Sequence, residues 1–219
     1  MTAGLPGESG ERGAAAVTAG SVPTGNTFDK YGSENAVVRR LMARFRGTLD
    51  ELWRIAEPRS VLDVGCGEGV LTEEWAERLG ERRIVGIDLE DPKLRAEWER
   101  RRRANLEFVT ADATALRFAD DEFDLAAAIE VLEHVPDPET TVAEMARVAE
   151  RHLLVSVPRE PLWRGLNLAR GSYWGSLGNT PGHLNHWSKR SFASLLSRHG
   201  SVVEARSPLP WTMLLVRLD

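Results

Sequence analysis

The sequence predicts an α/β fold: a doubly wound, mostly parallel seven-stranded sheet, an N-terminal helix before it, and an insertion on its ligand side. Three observations carry this. Short β-rich apolar runs alternate with helical patterns through most of the chain, the signature of parallel strands joined by crossover helices. The first such run, "SVLDVG", passes directly into a turn with three alternating glycines, Gly65, Gly67 and Gly69. The last two apolar runs, "SVVEARS" and "WTMLLVRL", are joined through "PLP", too short for a crossover helix, so they must pair antiparallel.

Taken in order, residues 1–27 are rich in Gly, Ala, Ser and Thr and offer little to bury, so they read as a flexible tail. The tail has neither a basic start nor an apolar core, so it does not read as a secretory signal. Residues 28–219 then form the folded domain. From Ser33, a candidate N-cap, to Ala56, apolar residues recur at helical spacing: Val37, Leu41, Phe45, Leu49, Leu52 and Ile55. Pro58 ends this helix before the first strand. "VLTEEWAERLG" reads as a helix, "RIVGIDL" as a strand, and "DPKLRAEWERRRR" as a helix opened by Asp91 and Pro92. "LEFVTAD" and "FDLAAAIE" read as strands, "PETTVAEMARVAE" as a helix, and "RHLLVSVP" as a strand. Residues 159–187, rich in glycines and aromatics, read as a loop-like insertion. "SKRSFASLLSRHG", capped by Ser188, is the last helix.

The bulk numbers bound the function. A formal net charge of −5 argues against a dedicated nucleic-acid binder, which needs a surplus of Lys and Arg. The four consecutive arginines Arg100 to Arg103 read as a solvated helix end. One cysteine, Cys66, excludes an internal disulfide and fits a reducing cytoplasm. No stretch approaches the roughly 20 apolar residues of a membrane-spanning helix, so no stable membrane insertion is expected.

The glycine turn marks the ligand site, because open parallel sheets bind ligands at the carboxyl ends of their strands. Its spacing is G-x-G-x-G, with Val70 where a dinucleotide fingerprint needs a small residue, and it lacks the Lys-Ser/Thr of a P-loop. Asp88 ends the second strand, where a carboxylate can accept both hydroxyls of a ribose. A nucleoside without a required pyrophosphate fits this pattern.

"VLDVGCGEG", "VGIDL", "VTADATALRFADDEFDLAAAIEVLEHVPDP" and "LLVSVP" resemble, in order and spacing, the motifs of class I S-adenosylmethionine-dependent methyltransferases. The resemblance covers residues 30 to 160 and implies a Rossmann-like fold. It further implies that Asp63 and Gly65 hold the methionine end of S-adenosylmethionine, with Cys66, Gly67 and Gly69 close to it. Asp88, with Leu89 beside it, would bind the ribose; Asp112 and Ala113 would meet the adenine. Ile129 and Glu130 would face the methyl region, and Tyr31 would close over the cofactor. S-adenosylhomocysteine would be the product.

"IEVLEHVPD" adds an E-x-x-E-H segment similar to that of ubiquinone-pathway O-methyltransferases and of small-RNA 2′-O-methyltransferases. Glu130, Glu133 and His134, with a later histidine from "PGHLNHWS", can hold a divalent cation through oxygen and nitrogen donors. His183 and His186 are both available there, and His186 is taken as the ligand. The alternative is metal-free, with His134 or His186 as general base and Glu130 in support. The aromatics Trp163, Tyr173, Trp174 and Trp187 read as an apolar wall, suited to an apolar or lipid-linked small-molecule acceptor. The reading is methyl transfer to a small molecule, on oxygen first, by a cytoplasmic monomer or homodimer. N- or C-methylation, a catalytically silent cofactor-binding scaffold and an NAD-dependent oxidoreductase are the alternatives.

Overall fold

A computed structural model describes residues 36–169 and 174–219. The predicted tail (1–27), the Ser33 cap, Tyr31 and Tyr173 lie outside the described residues.

Seven strands form one sheet: β1 (Val61–Val64), β2 (Ile84–Asp88), β3 (Leu106–Thr110), β4 (Phe123–Ile129), β5 (Ala149–Pro158), β6 (Gly200–Arg206) and β7 (Trp211–Leu218). Their spatial order is β3-β2-β1-β4-β5-β7-β6. β1 to β5 are parallel to one another, and β7 runs antiparallel between β5 and β6. The antiparallel strand is thus last in sequence but one place in from the sheet's edge. The order reverses between β1 and β4, which opens a crevice at the carboxyl ends of those two strands.

Six helices complete the fold: α1 (Ala36–Ala56), α2 (Val70–Leu79), α3 (Pro92–Arg100), α4 (Pro138–Val148), α5 (Leu162–Ala169) and α6 (Lys189–Leu196). Both faces of the sheet are covered, which is why its central strands are continuous apolar runs. Along β4 the faces alternate. Ala126 and Ala128 join the core under α4 and α6, with Met145, Phe192 and Leu196. Leu125 and Ala127 join the core under α1 and α2, with Leu49, Leu52 and Trp75. Asp91 caps α3 by accepting from the Lys93 amide at 2.8 Å, and Ser188 caps α6 with a reciprocal Ser188–Ser191 box, as their sequence positions predict.

Two expectations change. The buried stripe of α1 is Met42, Phe45, Leu49, Leu52, Trp53 and Ala56, whereas Val37 and Ile55 are exposed. At 3.6 residues per turn those two fall on one flank of the stripe. Trp53 takes the buried place because it stacks on Trp75 of α2, ring centroids 4.8 Å apart. The described residues of the insertion also hold more regular structure than its glycines suggest. It holds α5 and a short 3₁₀ turn, Trp174–Ser176. Asn167, 2% exposed, ties α5 down by donating to the Gly178 carbonyl at 2.7 Å and Thr180 Oγ1 at 3.1 Å.

Candidate active site

The glycine turn needs glycine for two separate reasons. Gly65, Gly67 and Gly69 have φ of 70°, 55° and 79°, a region that penalises side chains. A Cβ on Gly65 would lie 2.5 Å from Val131 Cγ2, and one on Gly69 would lie 2.5 Å from Phe108 Cζ. The Gly67 carbonyl accepts from Trp98 Nε1 at 2.8 Å, and Trp98 stacks on Phe108 at 5.3 Å with a 6° interplanar angle. Sequence reasoning missed this aromatic floor, because Trp98 and Phe108 lie on different elements and no spacing links them to the turn.

The Gly65 and Cys66 amides both donate to the Ile87 carbonyl, at 2.8 and 2.9 Å, so the turn is stitched to the end of β2. Asp88 then reaches back. Its Oδ2 accepts from the Gly67 amide at 2.8 Å, and its Oδ1 from the Leu89 amide at 2.7 Å. Burial raises the Asp88 pKa, and those two amides oppose the rise. Each oxygen keeps a second lone pair, which is what accepting two vicinal hydroxyls requires. Asp112 Oδ1 takes the Thr114 amide (2.9 Å) and hydroxyl (2.7 Å), leaving Oδ2 directed from a braced carboxylate beside Ala113. These residues fit a nucleoside cofactor.

Asp63 is placed differently from a surface ligand. It is 3% exposed, and its Oδ2 accepts from Thr72 Oγ1 of α2 at 2.7 Å. Burial pushes its pKa up to about 7, against the Thr72 bond that lowers it, with Asp88 adding a smaller rise. Burial chiefly, then Asp63 and Asp88, push the Cys66 thiol up, so it is no nucleophile.

Val131 begins the turn after β4 and abuts Gly65, so the E-x-x-E-H segment adjoins the glycine turn directly. His134 is folded back by its amide donating to the Val131 carbonyl at 2.8 Å. His134 Nδ1 lies 2.9 Å from the Gly182 carbonyl. A carbonyl only accepts, so Nδ1 carries a proton, and in the neutral imidazole Nε2 then presents a lone pair. The insertion grips this turn. The Leu184 and Asn185 amides donate to the Glu133 carbonyl, and Asn185 Nδ2 donates to the carbonyls of Leu132 and Val135.

The result is a three-donor cluster of Glu133, His134 and His183, whose ligand atoms lie within 4.8 Å of one another. Glu133 is 1% and His183 9% exposed. Two predicted members are not in it. His186 instead places Nδ1 3.6 Å from Glu160 Oε1, and His183, three residues earlier, takes its expected place. Gly182, with φ of 87°, makes the turn that delivers His183 while giving its carbonyl to His134. Glu130, expected as ligand and catalytic group, has its carboxylate bound by Trp211 Nε1 (2.5 Å) and Ser156 Oγ (3.4 Å). Ile129, at the end of β4, packs with the core under α1 and α2.

The four arginines of 100–103 are paired: Arg100 and Arg101 with Glu97, Arg102 with Glu99, and Arg103 with Glu73 and Glu77. They form a solvated ion-pair face.

Residues 62–152 match the family described as "Methyltransferase domain". A ubiquinone biosynthesis O-methyltransferase of Methylococcus capsulatus is 31% identical over 160 residues, 65% of this chain and 66% of that one. Residues 62–152 thus carry the methyltransferase domain, and the glycine turn and Asp88 lie within it. A second such relative, from Alkalilimnicola ehrlichii, is 30% identical over 66% of this chain and 64% of its own. The chain thus matches just under two thirds of the length of these curated relatives. Among solved methyltransferase structures, magnesium protoporphyrin IX methyltransferase from Synechocystis, with bound SAH, superposes with a TM-score of 0.65 at 19% identity, over 86% of this chain and 90% of that one. The 1,6-didemethyltoxoflavin-N1-methyltransferase of Burkholderia thailandensis gives 0.62 at 21% identity, over 81% and 79%. Both share the seven-stranded methyltransferase fold.

Proposed function

We propose that this chain catalyses transfer of a methyl group from S-adenosylmethionine to an oxygen of an apolar small molecule. The observation that carries the reading is the cluster Glu133–His134–His183, set against the glycine turn through Val131. S-adenosylmethionine supplies an electrophilic methyl group on a sulfonium. The turn Gly65–Gly69, Asp88 and Asp112 would hold it, with Asp63 bracing the turn from beneath through Thr72.

An acceptor hydroxyl must shed its proton as it gains the methyl carbon, and this is the step the chain's own residues must assist. His134 Nε2, with its tautomer fixed by Gly182, can take that proton. The same three donors fit a divalent cation: two imidazoles and one carboxylate, nearly dry, with one imidazole oriented by a carbonyl behind it. A cation there would acidify a coordinated hydroxyl. Much of the remaining rate comes from orientation, worth up to about 7–11 kcal/mol in well-aligned systems.

The insertion supplies the acceptor's surroundings. Leu166, Leu177 and Leu184, all within residues 159–187, are 43%, 71% and 51% exposed, apolar side chains open to an apolar acceptor. The relatives named for ubiquinone biosynthesis are O-methyltransferases, which supports oxygen over nitrogen or carbon. The test is incubation with S-adenosylmethionine carrying a labelled methyl group and a panel of phenols, catechols and amines with and without alkyl tails. Labelled methyl ethers, favoured by an alkyl tail and lost in His134→Ala, are expected. Label appearing only on amines would contradict the oxygen reading.

A further inference from the structure

Gly67 sits between two pinned peptide planes. The plane before it carries the Gly67 amide, which donates to Asp88 Oδ2 at 2.8 Å. The plane after it carries the Gly67 carbonyl, which accepts from Trp98 Nε1 at 2.8 Å. The first plane sets φ at this residue and the second sets ψ. An added Cβ at Gly67 would meet nothing within 4 Å, unlike one at Gly65 or Gly69, so close packing does not dictate its conformation. Glycine rotates about both bonds at little cost, which leaves the two side chains to fix it. The Cys66 thiol, 3.8 Å from the same carbonyl, is a far weaker donor.

The indole is itself held. Trp98, near the end of α3, is 7% exposed and stacks on Phe108 of β3 at 5.3 Å and 6°. Phe108 fills the space of two missing side chains, since a Cβ on Gly69 or Gly86 would lie 2.5 or 2.9 Å from its ring. The Arg101 amide closes α3 on the Trp98 carbonyl at 3.0 Å, and Arg101 Nε faces Glu73 of α2 at 3.6 Å. Packing alone would ask only for an aromatic ring on Phe108. The indole adds an N–H, which can only donate, and it meets a carbonyl of the glycine turn.

We propose that Trp98 is a positioning residue for the cofactor: its indole N–H holds the Gly67 carbonyl and, through Gly67, keeps the turn's amide on Asp88, so that this carboxylate stays set to receive the ribose hydroxyls. This rests on the reading of the glycine turn and Asp88 as the S-adenosylmethionine site. With the indole bond gone, the plane after Gly67 turns freely and the Gly67 amide leaves Asp88 Oδ2. The carboxylate then keeps only the Leu89 amide, at 2.7 Å on Oδ1. Cofactor affinity falls although no group assigned to touch the cofactor has changed.

The experiment is calorimetric titration of the full chain with S-adenosylhomocysteine. Wild type, Trp98→Phe, Asp88→Ala and the double variant are compared, each checked for folding by circular dichroism. W98F keeps the aromatic stack and is expected to bind roughly three- to tenfold more weakly, the loss of one hydrogen bond. In the D88A background the same change is expected to cost less than about twofold, because no carboxylate is left to position. A purely structural role would lower the melting temperature of W98F and leave its affinity within about twofold of wild type. That result overturns the inference and leaves the cofactor site standing. An equal loss in both backgrounds also overturns it, since Trp98 would then not act through Asp88. If W98F does not fold, Phe108→Leu decides, because it keeps the indole N–H and removes the ring that holds it in line. Weaker binding by F108L supports the inference, and unchanged affinity overturns it. Folded wild type that binds no S-adenosylhomocysteine overturns the cofactor reading and the inference with it.

Discussion

Asp63 makes the apo protein sensitive to pH. Its carboxyl keeps its proton in the fold up to about pH 7, whereas in the unfolded chain it ionises near 3.8. Stability from this group is therefore complete below about pH 4 and is lost as pH rises through 7, by up to roughly 4 kcal/mol. Thermal melts of Asp63→Asn are expected to lose most of the decline that wild type shows between pH 4 and 7. An unchanged slope would mean that other groups govern that range. At Gly69, alanine must accept φ of 79° and a 2.5 Å contact with Phe108. Gly69→Ala is expected to cost about 2 kcal/mol in chemical denaturation and to weaken S-adenosylhomocysteine binding. The positive-φ turn of Gly65, Gly67 and Gly69, and Asp88 beside it, were legible from spacing because short local turns place them, whereas Asp112 came only with the family resemblance. Glu130 was not, since its carboxylate is claimed by Trp211, 81 positions away. Nor could spacing choose His183 over His186, which lie in a loop without period, where only the Gly182 turn decides.

At the scale of elements, α1 and α5 behave differently. Gly47 lies exposed within α1, with nothing within 4 Å of an added Cβ. Gly47→Ala is expected to raise stability by about 0.8 kcal/mol through helix propensity, measured as a shifted denaturant midpoint. The insertion depends on polar pins instead. Asn167→Ala removes the bonds to Gly178 and Thr180, at a cost of about 1–3 kcal/mol, and should loosen the segment that delivers His183. Faster hydrogen exchange at residues 178–184, with β1 and β4 still protected, is the expected outcome. Uniformly faster exchange would show that the insertion and sheet open together. α1 was readable as a helix from its period, but its buried face shifted because Trp53 had a partner in Trp75, which no pattern on α1 announces. α5 went unread because Gly165 and the short length hide a helix held by one buried asparagine.

For the whole molecule, the alternation of strands and helices fixes a sheet whose order reverses between β1 and β4, and everything chemical follows from that reversal. The glycine turn, Asp88, Asp112 and the E-x-x-E-H turn all leave carboxyl ends of β1 to β4, and the insertion that follows β5 hydrogen-bonds to the E-x-x-E-H turn. Among the described residues, no helix is long and apolar enough to cross a membrane. Binding of a nucleoside methyl donor in this crevice, through Asp88 and the turn it braces, is the central proposal for this molecule. Calorimetric titration of the full chain with S-adenosylhomocysteine, for wild type and Asp88→Ala, tests it most directly. Saturable one-to-one binding by wild type, weakened at least roughly tenfold in the variant, is the result predicted. No binding by folded wild-type protein, or equal binding by both, would contradict it.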